Sequence, residues 1–126
     1  MAHVLLVEPD RLVAKTYMDA LRAAGHTVQA CASAQSAVFC ADEQAPDLMI
    51  LELQLVGHSG IELLYELRSY ADWQDLPVII VTNVPAGEFQ GSWKLLRDEL
   101  GVQSYHYKPL LSLKTLVDTA AEYALV

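Results

Sequence analysis

Asp47-Leu48-Met49-Ile50-Leu51-Glu52-Leu53-Gln54-Leu55 is the stretch on which the fold turns. It follows Pro46, opens on Asp47 and runs apolar from Leu48 to Leu51 before the next acid, Glu52, then ends near Gly57-His58-Ser59-Gly60. A short, unbroken apolar run bounded by turn formers predicts a strand buried on both faces, as in a parallel sheet. Beyond the carboxyl ends of such strands open α/β sheets gather their chemistry. Glu52 stands at that place.

Working outward, His3–Val7 and Thr27–Cys31 read as strands before the central one, and Val78–Val81, rich in β-branched residues, as a strand after it. Ser104–Tyr107 reads as a fifth. Between them lie helical patterns. Asp10 can cap a helix with apolar positions Val13, Tyr17, Ala20, Leu21 and Ala24, stopped by Gly25. Ser33 or Ala34 opens a second helix through Val38, Phe39 and Cys40 that ends before Pro46. Gly60–Tyr70 repeats Ile61, Leu64 and Leu67 at helical spacing. A fourth helix is expected over about Glu88–Leu100, closed by Gly101, and a last one from Leu110 to about Ala124. Strand followed by helix five times over predicts a five-stranded parallel sheet covered on both faces, a doubly wound (βα)5, flavodoxin-like three-layer sandwich.

The chain has 126 residues, 53% hydrophobic and 19% charged, which suits one globular domain over 1–126 with no output domain. Its formal net charge of -8 argues against nucleic-acid or anionic-membrane partners, both of which call for basic patches. The N-terminus carries no signal-peptide pattern or membrane span, so a cytoplasmic location is expected. Cys31 and Cys40 lack metal-site spacing and read as buried thiols. His3, His26, His58 and His106 fall on different elements and form no metal-binding pair.

In a parallel sheet the strand ends point one way. Glu8, Glu52, Thr82 and Lys108 therefore converge on one pocket, with Asp10 just beyond Glu8. Val4 to Glu8, Pro46-Asp47-Leu48 through Glu52, Gly60, Val78 to Thr82 and Lys108-Pro109 together resemble the receiver domains of two-component response regulators, the CheY-like family. The resemblance implies an acidic pair after the first strand and an aspartate after the third that hold Mg²⁺, a phosphoryl group on that aspartate, and a Thr and a Lys that bind its oxygens. It also implies a cis Lys108–Pro109 bond and an aromatic, here Tyr105, that turns inward on activation. It implies a protein partner as well: a signalling kinase, regulator or effector.

The departures from that pattern carry the functional expectation. Glu52 replaces the acceptor aspartate, and Pro9 replaces one metal-binding acid. Asp10 falls one position late and reads equally as a helix cap. Mg²⁺ demands oxygen ligands in near-octahedral array, so Glu8, Asp10 and Glu52 are weak candidates and no cofactor is expected. Phosphoryl transfer relies on positioning and on metal neutralisation of charge, and both fail together here. The extra methylene of Glu52 puts its carboxylate within reach of Lys108 and Thr82 and gives a partial imitation of a phosphoryl group. The expectation is a non-enzymatic pseudo-receiver that works by protein contact through segment 88–125, where Phe89 and Trp93 lie among the charges of Lys94, Arg97, Asp98, Lys114, Asp118 and Glu122. A second copy of the chain is a further candidate partner. The competing readings are a phosphorylatable receiver with a non-standard acceptor and a flavodoxin-like small-molecule binder. The latter wants a phosphate-cradling loop after the first strand, where Glu8-Pro9-Asp10-Arg11-Leu12 stands instead.

Overall fold

The computed structural model describes residues 2–124. Five strands, β1 (His3–Val7), β2 (Thr27–Cys31), β3 (Leu48–Leu51), β4 (Val78–Thr82) and β5 (Val102–Tyr107), pair in parallel in the order β2-β1-β3-β4-β5. The expected doubly wound sandwich is therefore present. Alternate strand residues feed two cores. Leu5, Val7, Met49, Leu51, Val78 and Ile80 pack on one side of the sheet with α2 (Ala34–Glu43) and α3 (Gly60–Arg68). Val4, Leu6, Leu48, Ile50, Ile79 and Val81 pack on the other with α1 (Arg11–Ala23) and α4 (Leu113–Tyr123). Both faces being covered explains why the central strands show no polar alternation.

Local chemistry sets the helix starts. Asp10 accepts from the Leu12 and Val13 amides, so it caps α1. Ser59 and Glu62 form a reciprocal capping box at α3. Gly60 sits hard against the end of β3: a Cβ there would stand 2.9 Å from the Glu52 carbonyl oxygen and 2.9 Å from Leu53 Cα. The absent side chain lets α3 begin directly against the acid-bearing turn.

Several expectations need correction. β3 ends at Leu51, and β5 starts at Val102, two residues early, with a register irregularity against Val78 and Ile79. The regular helix over Glu88–Leu100 is replaced by 3₁₀ geometry over Ala86–Ser92 and a π-turn over Leu95–Glu99. Gly87 and Gly91 weaken helical preference in the first part, and only Leu96 of the second is fully buried. The last helix begins at Leu113; Lys108–Leu110 forms a separate 3₁₀ turn ahead of it, and the described chain contains no cis peptide, so Lys108–Pro109 is trans. In α2 the inward positions are Ala34, Ala37 and Ala41, which bring the helix close to the sheet and leave Phe39 65% exposed.

Candidate functional site

The sheet ladder places the acids before any side chain is considered. Val7 is paired with Leu51, and the ladder runs one residue further: the Glu8 amide donates to the Cys31 carbonyl at 2.9 Å and the Glu52 amide to the Val7 carbonyl at 3.0 Å. Glu8 and Glu52 thus stand level at the carboxyl edge, 5% and 3% exposed. Lys108 follows β5 directly and extends back over the strand ends. Its Nζ donates to Glu8 Oε1 at 2.6 Å and to Glu52 Oε1 at 2.7 Å.

The remaining carboxylate oxygens are also engaged. Glu8 Oε2 accepts from the Asp10 amide at 3.0 Å, and Glu52 Oε2 from the Gln54 amide at 3.2 Å. Burial alone presses the Lys108 pKa down; the hydrogen bonds it donates to Glu52 and Glu8, with their negative charges, more than offset it and hold the ammonium above its usual range. Tyr17 on α1 is buried, and its hydroxyl is pushed up by that burial, with Lys108 opposing and the two glutamates adding to it.

Of the other candidates, Thr82 is fully buried, but its hydroxyl accepts from the Val84 amide at 3.2 Å and makes no hydrogen bond to Glu52 or Lys108. Glu52 therefore reaches Lys108 and not Thr82: Thr82 projects with Val78 and Ile80, while Glu52 continues the opposite parity of Leu48 and Ile50. Asp10 is exposed and turned to its helix, away from the paired acids. Tyr105 folds under the loop after β4, its hydroxyl donating to the Val84 carbonyl at 2.6 Å. The Phe89 and Trp93 rings lie 5.9 and 6.4 Å from its own. Burial, then Glu52 and Glu88, push the Tyr105 hydroxyl up to about 12. His106 bonds Ser104 on the other face of β5, and His58 lies 3.5 Å from Glu62, so neither enters the pocket.

The oxygens at this edge that would face a metal are already engaged. All four oxygens of Glu8 and Glu52 have partners, Pro9 offers no ligand, and Asp10 is committed to its cap. Among the described residues no group of three His, Cys, Asp or Glu side chains is placed to hold a metal.

Sequence reasoning missed two features. Leu12, Val56 and Leu110, 79%, 81% and 84% exposed, lie in the segments that follow β1, β3 and β5 at the carboxyl end of the sheet. Apolar residues a few positions after strand-end polar ones were the available signal. Arg68, half-buried, donates to the carbonyls of Leu100, Trp73 and Leu76 and ties α3 to both neighbouring loops. Nothing in its local sequence announces that role.

A family profile described as "Response regulator receiver domain" matches residues 4–118. The polar-differentiation response regulator DivK of Brucella ovis is 30% identical over 120 residues, which span 95% of this chain and 94% of that protein. The chemotaxis response regulator CheY4 of Vibrio cholerae superposes with a TM-score of 0.85 at 22% identity, over 98% of each chain. A putative response regulator of Chloroflexus aurantiacus superposes with a TM-score of 0.83 at 26% identity, over 97% of this chain and 96% of that one. At such identities the first of these two likenesses is one of fold. No described helix is long and apolar enough to cross a membrane.

Proposed function

The chain belongs to the response regulator receiver domain family, and from that premise we propose that it signals without being phosphorylated, through a pocket closed by its own charges. The observation that carries the reading is the Lys108 ammonium held 2.6 Å from Glu8 and 2.7 Å from Glu52. Lys108, which matches the lysine of the family pattern, bridges the two glutamates at the edge where the family holds a metal. A phosphoryl group brings about -1.5 to -2 charges and three acceptor oxygens, against one charge and two oxygens on Glu52. The imitation is partial, yet it gives Lys108 a carboxylate partner from within the chain.

Tyr105 supports a fixed, activated-like state. Its packing against Phe89 and Trp93 matches the inward orientation that the family associates with activation, and its bond to Val84 holds it there. The output is contact with a signalling protein through the face that includes segment 88–125, of which Leu125 lies outside the described residues. There, Phe89, Trp93 and Tyr105 line a groove of about 790 Å³. Aromatic anchors of this kind carry much of the binding energy at interfaces.

Intact-mass measurement of the protein with a small phosphoramidate donor and millimolar Mg²⁺ tests the reading. No phosphoryl adduct is expected, and calorimetry should show no Mg²⁺ binding at millimolar levels. The Glu52→Asp, Pro9→Asp double variant should regain Mg²⁺ binding. An adduct on the natural chain, or millimolar Mg²⁺ affinity, overturns it and favours the reading of a receiver with a glutamate acceptor.

A further inference from the structure

On the sheet face opposite α1 and α4, α2 and α3 lie side by side and leave a groove of about 720 Å³ between them. Its apolar surface comes from Phe39 and Val38 of α2 and buried Leu63 of α3. Phe39 is 65% exposed while its neighbours Ala37 and Ala41 are fully buried, so the largest side chain on the helix is the one turned outward. The walls are acidic: Asp42 on α2, Glu62 and Glu66 on α3. No lysine or arginine lines the groove, and its one titratable base, His58, stands 3.5 Å from Glu62.

We propose that this groove docks a basic amphipathic helix of a partner protein, with an apolar residue seated against Phe39 and Leu63 and Lys or Arg side chains on Asp42, Glu62 and Glu66. The inference goes beyond the proposed function and stands whether or not the Glu–Lys pocket is phosphorylatable. Charge complementarity selects the occupant. A second copy pairing through the same patch would set acidic wall against acidic wall, which two-fold pairing cannot avoid. An anionic membrane is repelled for the same reason. The geometry suits a helix: Gln35, Phe39 and Asp42 follow at helical spacing along one wall, and Glu62 and Glu66 are one turn apart on the other. From Ala34 to Asp42 the wall is roughly 12 Å long, about two turns of an inserted helix.

The test uses the full chain and a synthetic peptide with leucines at i, i+4 and i+7 and lysines between them, followed by amide chemical shifts. Shifts confined to residues 34–42 and 58–66 are expected, with an affinity that falls as salt rises. Phe39→Ser, a change at an exposed site, should weaken binding at least tenfold, and so should Glu62→Lys combined with Glu66→Lys. Leu113→Ser on α4 should leave it unchanged, and circular dichroism verifies that each variant is folded. A peptide of the same composition with scrambled leucines should bind at least tenfold more weakly. Equal binding of the scrambled peptide, shifts centred on 86–105, or a Phe39→Ser affinity within twofold of the natural protein overturns the proposal. So does dimerisation, or binding to anionic vesicles, that Phe39→Ser abolishes.

Discussion

Replacing Lys108 by methionine isolates the charge at the centre of the pocket, because methionine keeps most of the apolar stem. The ammonium makes two charge-assisted hydrogen bonds, at 2.6 and 2.7 Å, to carboxylates whose side chains are each only 3% exposed. Such bonds are worth roughly 1.5–3 kcal/mol each, and stranding buried charges by removing one partner typically costs about 3–5 kcal/mol. We expect Lys108→Met to lower stability by about 4 kcal/mol, a large share of the ~5–15 kcal/mol of an ordinary domain. With a urea slope of ~1–3 kcal/mol per molar, the unfolding midpoint should drop by about 2 M. Adding Glu8→Gln and Glu52→Gln removes the stranded charges and should return at least half of the loss, since the penalty lies in uncompensated charge. A loss below ~1 kcal/mol, the range of an exposed pair, would refute the reasoning. So would a triple variant no more stable than Lys108→Met alone.

Alkaline titration gives a second check. Lys108 has a raised folded pKa, so its contribution is complete below the unfolded value of about 10.4 and is lost as pH rises through the folded one. Tyr105, held protonated up to about 12, weakens the fold over the same alkaline range because the unfolded chain ionises first. The urea midpoint should therefore fall more steeply above about pH 10.4 in the natural protein than in Lys108→Met, in which the lysine effect is gone and the tyrosines and buried thiols alone weaken the fold. Asp10→Ala should cost about 1 kcal/mol in a thermal melt through loss of the α1 cap, with no change in the calorimetric response to Mg²⁺. Gly60→Ala should lower the melting temperature, at a cost of about 1–3 kcal/mol, because its Cβ meets backbone rather than a movable side chain.

Much of the architecture could be read from residue order. Val4–Val7, Leu48–Leu51 and Val78–Val81 are continuous apolar runs because each is covered on both faces, and Asp10 announces α1 through its cap. The inward face of α2 is not legible from hydrophobicity, because side-chain size decides where a helix must approach a sheet closely: Ala34, Ala37 and Ala41 go in, and Phe39 goes out. The Ala86–Glu99 stretch has the leucines of a helix, but only Leu96 has a fully buried seat, so tertiary packing never enforces α geometry there. In the pocket, strand ends located Glu8, Glu52 and Lys108, since strand order alone brings them to one edge. Which oxygen Lys108 meets, and that the Thr82 hydroxyl serves its own turn, depend on strand parity and side-chain rotation that the pattern of residue types does not encode.

The unconventional winding of Ala86–Glu99 has a consequence for how the molecule yields. Its 3₁₀ and π hydrogen bonds are poorer than those of an α-helix and lie mostly near solvent, whereas β3 and β4 are enclosed on every side. This stretch should open more readily than the sheet: its amide protons would exchange with deuterated water long before those of Met49 or Ile80. Melting it strips Phe89 and Trp93 from the Tyr105 ring while the lysine bridge, anchored on the strands, stays shut.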